Sequence, residues 1–169
     1  MTENVTRLLF VCLGNICRSP LAKGVFADVA AGRRLAGRYR LDSAGTGGWH
    51  AGSAPDPRSI AVAAAHGVDI SGQQARKVRP SDFAEFDLIL GMDRSNVEDL
   101  KRLAGPARDK VHLFIDYATG SARDVPDPYY GGPEGFEQVY RMIRDASEAL
   151  VDRLGARASA VSGQASSMM

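Results

Sequence analysis

A short apolar run, residues 7–12 (RLLFVC), stops just before Gly14, and soon afterwards Leu21, Val25, Phe26 and Val29 recur at helical spacing over 19–31. Strand, tight loop and helix in immediate succession restrict the fold more than any other feature, because the same alternation returns along the chain. Residues 39–43 read as a strand and 58–66 as an Ala-rich helix closed by Gly67. Residues 86–92 (FDLILGM) read as a buried strand, and 93–103 as a helix capped by Asp93. Residues 111–115 (VHLFI) supply a fourth strand, and 134–154 a last helix with Phe136, Val139, Tyr140, Ile143 and Leu150 at core spacing. Such alternation predicts an α/β fold, a three-layer sandwich with a central four-stranded parallel sheet and helices on both faces. One domain is expected over residues 1–154, and a disordered tail over 155–169, where Ala and Ser dominate. Two Gly- and Pro-rich stretches, 44–57 and 121–133, are long for loops of a compact domain, which points to function rather than mere connection.

Lys and Arg total 21 against 20 for Asp and Glu. So balanced a chain has no global field for nucleic acid or an anionic membrane, and any attraction for an anion must be local. No apolar stretch approaches the roughly 20 residues that span a bilayer, and residues 1–7 lack the basic start and apolar middle of a secretory signal. A cytoplasmic location is expected. Cys12 and Cys17 are the only cysteines, too few for a disulfide framework and without zinc-site spacing. No metal or other cofactor is expected.

The segment 11–20 (VCLGNICRSP) lies at the carboxyl end of the first strand and the start of the first helix, the place where open α/β sheets bind ligands. Successive backbone N–H groups there can form a nest, and the helix adds the positive end of its dipole. The spacing puts Cys12 at the base of this cradle and Arg18 at its closing edge, where a planar guanidinium can grip two oxygens of a phosphate. The positive surroundings favour a thiolate, aimed at a bound phosphorus for in-line attack. A bare Cys-x5-Arg pair is weak by itself. The context strengthens it: Gly14 and Asn15 tolerate left-handed backbone, Ser19 can cap the helix, and Pro20 suits its first turn.

Residues 12–20 (CLGNICRSP) resemble the signature loop of the low-molecular-weight protein-tyrosine phosphatases. The resemblance extends through Asp42-Ser43-Ala44-Gly45-Thr46, Trp49, Ala75-Arg76, Phe86-Asp87, Met92-Asp93 and Asp127-Pro128-Tyr129-Tyr130-Gly131, in the family's order over residues 7–154. It implies a phosphotyrosine protein phosphatase I-like fold and hydrolysis of phosphotyrosine and aryl phosphates through a phosphocysteine. It also implies phosphotyrosine-containing proteins as substrates and inorganic phosphate or other oxyanions as ligands of the loop. A monomer or weak homodimer is expected.

Expulsion of a phenolate needs a general acid. On the residues alone, Asp127-Pro128 reads more readily as a turn than as a catalytic element; the resemblance makes Asp127 the acid, with Asp124 its close rival. Trp49, Tyr129 and Tyr130 lie in loops, and the resemblance places aromatics there around the phenyl ring, with Leu13 and Ile16 completing the rim. It further implies that Asn15, Ser19 and Ser43 form the network supporting the loop, with Ser19 also stabilising the thiolate. One departure stands out: many members carry a histidine before the Ala-Arg pair, where this chain has Gln73 and Gln74, which can supply hydrogen bonds but no charge. Cys17 reads equally as a small buried hydrophobe or as a partner that captures oxidised Cys12 in a disulfide.

Other functions fit less well. An arsenate reductase on this scaffold relays a disulfide to later cysteines, and none follows Cys17. Protein-arginine phosphatases usually have Thr at the position of Ile16. A non-catalytic phosphotyrosine-binding module has no use for both Cys12 and Asp127. A cysteine hydrolase needs a paired histidine, and His50, His66 and His112 show no diagnostic spacing.

Overall fold

The computed structural model describes residues 5–129 and 131–167. Strand β1 (Thr6–Cys12) is followed by helix α1 (Arg18–Gly32), strand β2 (Tyr39–Gly45), helix α2 (Pro57–Ala65) and the short helix α3 (Asp82–Glu85). Strand β3 (Leu88–Gly91), helix α4 (Arg94–Ala104), strand β4 (Val111–Leu113), and helices α5 (Phe114–Thr119) and α6 (Pro133–Ser167) complete the chain. The sheet has the order β2-β1-β3-β4 with all neighbours parallel, so β1 lies inside it, flanked on both edges.

Alternate residues of a strand face opposite sides, and β1 uses both for burial. Leu8, Phe10 and Cys12 face a cluster with Leu21, Val25 and Phe26 of α1, Phe114 of α5, and Val139, Ile143 and Leu150 of α6. Leu9 and Val11 face Val78, Phe83, Phe86 and Leu100 on the other side. That double burial explains why residues 7–12 read as a continuous apolar run rather than an alternating one. It also yields the three layers the alternation predicts.

Three expectations change. Strand β4 stops at Leu113, and Phe114 and Ile115 open α5 instead of extending the strand. A short apolar run does not by its periodicity distinguish strand from buried helix, and both side chains pack into the core as helix residues. Strand β3 begins at Leu88, because Asp87 turns its carboxylate to the N–H of Arg7, 2.8 Å away. Helix α6 continues to Ser167, past Leu154, where the sequence placed the end of the last helix, and through the Ala- and Ser-rich residues 155–167. Alanine has the highest helix propensity, so this composition extends a helix already nucleated by its packed first half.

Two caps read from the sequence are present. Asp93 accepts the N–H of Asn96 at 2.8 Å and the Asn96 side chain returns to Asp93 N, a reciprocal box that starts α4. At the end of α2, His66 precedes Gly67, whose φ of 81° is the left-handed stop glycine favours.

Candidate active site

The loop between Cys12 and Arg18 is held from outside by its carbonyls. Thr46 N–H donates to Cys12 O (3.0 Å), Gly47 N–H to Leu13 O (2.9 Å), Asp56 N–H to Ile16 O (2.8 Å) and Ser59 Oγ to Cys17 O (3.3 Å). Across a trans peptide the N–H points opposite to the C=O, so amides whose carbonyls are tied outward present their N–H groups to the inside of the bend. Gly45 makes the outer contact feasible: a β-carbon there would fall 2.7 Å from Leu13 O.

Inside the bend, Cys12 Sγ accepts the N–H of Asn15 at 3.3 Å and lies 3.0 Å from Ser19 Oγ. Asn15 sits at φ 59°, the left-handed conformation its residue type tolerates. Its Oδ1 accepts Arg76 N–H, which fixes the amide so that Nδ2 donates to Ser19 Oγ (2.8 Å) and Ser43 Oγ (3.0 Å). Ser19 Oγ also lies 3.4 Å from Ala44 O; toward an ionised Cys12, which can only accept, its hydroxyl is the donor across the 3.0 Å contact. The first turn of α1 is thus not capped by Ser19. Cys17 holds the cap position without a side-chain bond, and Ser19 turns its hydroxyl toward the sulfur.

Ser43 in turn donates to Gln73 Oε1 (3.4 Å), while Gln73 Nε2 donates to Pro20 O (2.9 Å). Of the two glutamines at the departure from the family pattern, Gln73 therefore occupies the supporting place. Arg76 braces the same region with its guanidinium, which bridges Asp42 and the fully buried Asp82.

The Arg18 side chain is only 3% exposed. Nη1 donates to Asp93 Oδ2 (2.6 Å) and to Val125 O (3.0 Å), and Nη2 lies 3.7 Å from Asp127 Oδ2. Burial disfavours its charged form, but the negative charge at Cys12, Asp93 and Asp127 outweighs that and raises its pKa above the ordinary value. Cys17 behaves oppositely to a nucleophile. Burial, reinforced by the charges of Asp56, Cys12 and Asp127, pushes its thiol up to about 12, so it is a neutral wall of the site.

A cleft of about 230 Å³ opens over this loop, lined by Cys12, Leu13, Gly14, Ile16, Cys17, Arg18, Trp49, His50, Asp127 and Tyr129. Nine of these ten were singled out in the sequence; Asn15, Ser19 and Ser43 lie behind them, and Tyr130 lies outside the described residues. Cys12 is buried at the base, whereas Leu13, Tyr129 and Trp49, the last 73% exposed, form the rim. Asp127 Oδ1 accepts Tyr129 N–H at 3.0 Å. Asp124 is occupied elsewhere, accepting Arg94 N–H at 3.1 Å and pairing with the Arg94 side chain.

Two participants escaped the sequence reading. Asp93 was read only as a cap, yet its second oxygen holds Arg18; nothing in the spacing signals that. His50 was set aside for want of a partner at diagnostic spacing, but its ring lies over Gly14, where a β-carbon would approach Cδ2 to 3.1 Å. His66 instead pairs with Glu137 and stacks on Tyr140. Among the described residues no cluster of side chains could hold a metal ion, and no helix is long and apolar enough to cross a membrane.

Residues 7–160 match the family model described as low molecular weight phosphotyrosine protein phosphatase. The chain is 45% identical over 151 residues to the low molecular weight phosphotyrosine protein phosphatase of Schizosaccharomyces pombe, covering 88% of this chain and 96% of that protein. A crystal structure of a protein tyrosine phosphatase from Entamoeba histolytica with Hepes in its active site superposes with a TM-score of 0.84 at 39% identity, covering 89% of this chain and 97% of that one. The structure of YfkJ from Bacillus subtilis gives 0.85 at 38% identity, with 93% and 99% covered. A loop curled over a buried cysteine, a buried arginine at its far end and relatives aligned over nearly their whole length lead to one assignment: the chain belongs to the low molecular weight phosphotyrosine protein phosphatase family.

Proposed function

We propose that this protein hydrolyses the phosphate ester of phosphotyrosine in protein substrates, and of simple aryl phosphates, by two displacements on Cys12. The phosphate enters the bend, its oxygens taken by the loop N–H groups and the Arg18 fork. The Cys12 thiolate donates its electron pair to phosphorus. As the S–P bond forms, the P–O bond to the ring breaks, and Asp127 gives its proton to the departing phenolate oxygen. A water molecule then attacks the phosphocysteine, Asp127 takes the water's proton, and the P–S bond breaks to return the thiolate and release inorganic phosphate. Ser19 Oγ–H and Asn15 N–H, both aimed at the sulfur, stabilise it as leaving group in that second step.

The observation that carries this reading is the placement of Cys12 and Asp127 in one cleft with Arg18 between them, its Nη2 3.7 Å from the Asp127 carboxylate. The aromatic rim supports a phenyl ester, since a buried sulfur beneath Tyr129 and Trp49 is reached by a phosphate on a ring and not by one on the short stem of serine. Ile16 in the wall favours a ring over a guanidinium, and the absence of cysteine after Cys17 argues against disulfide relay. Membership of the family supports action on phosphoproteins, which we place in the cytoplasm. Mass spectrometry of enzyme acid-quenched during turnover of an aryl phosphate should find phosphate on Cys12. Sustained turnover with no phosphorylated cysteine, under quench conditions that preserve a thiophosphate standard, would sink the mechanism.

A further inference from the structure

Asp127 rides on a loop, and a general acid must be held within a fraction of an ångström of its proton's destination. The structure shows where that hold comes from. Arg58 forms a two-pronged contact with Asp56, Nε to Oδ1 at 3.0 Å and Nη2 to Oδ2 at 2.9 Å. Its remaining nitrogen, Nη1, donates to Tyr129 O at 2.9 Å. The guanidinium carbon also lies 4.6 Å from the ring centre of Phe136 and 5.3 Å from that of Tyr129, so the plane is fixed by stacking as well as by hydrogen bonds.

Both ends of this contact lead into the active site. Asp56 is buried, and its N–H donates to Ile16 O on the back of the oxyanion loop; the Arg58 fork holds its carboxyl below the usual carboxylate range. Tyr129 donates its own N–H to Asp127 Oδ1. A continuous line therefore runs Ile16, Asp56, Arg58, Tyr129, Asp127, joining the segment that binds phosphate to the segment that carries the acid.

We infer that Arg58 is a positioning residue for the general acid, setting the height of Asp127 over the nucleophile loop through the Tyr129 peptide. This rests on the reading of Asp127 given above. A phenolate that is a poor leaving group needs Asp127, whereas a dinitrophenolate departs without a proton, so misplacing the acid penalises only the first.

The test compares kcat/KM for phenyl phosphate and dinitrophenyl phosphate, measured on the same preparation so that the fraction of folded enzyme cancels in the ratio. Asp127→Ala should lower the phenyl phosphate value about 100-fold or more beyond any loss on the dinitrophenyl ester. Equal losses on both would overturn the acid assignment itself. Arg58→Gln should lower the phenyl phosphate value by about 10-fold beyond that for the dinitrophenyl ester. If Asp127→Ala discriminates and Arg58→Gln does not, the acid assignment stands and the role of Arg58 is lost. Arg58→Lys should behave like Arg58→Gln, because an ammonium cannot bridge Asp56 and Tyr129 with a fork. Full rescue by lysine would show that charge alone acts, and would also overturn the inference.

Discussion

The carboxamide of Asn15 accepts the backbone N–H of Arg76 at Oδ1, 2.9 Å away, although the two residues are 61 positions apart in sequence. That contact decides which end of the amide faces the sulfur side of the loop. With its carbonyl taken, Asn15 acts only as a donor toward Ser19 and Ser43. Asn15→Asp keeps the acceptor for Arg76 but removes both donors and adds a negative charge beside Cys12. Steady-state kinetics on an aryl phosphate should show kcat/KM lower by about 100-fold. Parental kcat/KM in this variant would show that the donors are dispensable.

Asp93 serves two masters with two oxygens, Oδ1 for the start of α4 and Oδ2 for Arg18. Asp93→Asn preserves a capping acceptor while removing the charge opposite Arg18, and Asp93→Ala removes both. The alanine variant should lose about 1 kcal/mol more stability than the asparagine variant in denaturant unfolding. Both should bind inorganic phosphate more weakly as a competitive inhibitor. Unchanged inhibition in both would mean that Val125 O and Asp127 suffice to orient Arg18.

Cys17 remains protonated while its ordinary value of 9.0 is displaced to about 12. The sign follows directly. Below that region the folded chain holds the thiol proton, whereas the unfolded chain releases it from about pH 9, so this group's contribution to stability is lost as pH rises from 9.0 toward 12. Alkylation with iodoacetamide at neutral pH, read by peptide mass spectrometry, should label Cys12 and spare Cys17 in the native protein. Equal labelling would contradict the buried, neutral thiol. A slow thiol also makes Cys17 a sluggish captor of oxidised Cys12 unless the loop first opens.

Gly45→Ala should destabilise the protein by about 1–3 kcal/mol, because its β-carbon would press on the Leu13 carbonyl, a backbone atom that cannot rotate away. Urea unfolding measures this. Phosphate inhibition should weaken in parallel, since Leu13 lies in the loop proposed to hold the anion. A neutral effect on both would show that the loop can shift without cost.

The sheet was legible because β1 is apolar on both faces and ends against a glycine, a pattern that fits an interior parallel strand. The end of β4 was not, since Phe114 and Ile115 are equally suited to a strand or to the buried face of a helix, and only the packing around Phe114 chooses. Within the site, Cys12 and Arg18 could be read because both lie in one short loop between β1 and α1, at a spacing visible in the sequence. Asp93 could not, because its partner is 75 residues away, nor could the choice of Gln73 over Gln74, which depends on the reach of Pro20 O. Of the two readings of Ser19, the cap suggested by its place at a helix start gives way to the contact with the sulfur that the resemblance implied.

Arg18 draws its partners from the junction of β3 with α4 and from the 121–133 segment, which meet only when the far half of the chain has docked. A partly formed molecule thus offers an anion no finished receptor. On the proposed mechanism inorganic phosphate is the product, and bound in that loop it would favour the assembled state and shift the folding equilibrium toward it by mass action. The chain would then be least secure against unfolding when starved of that ion.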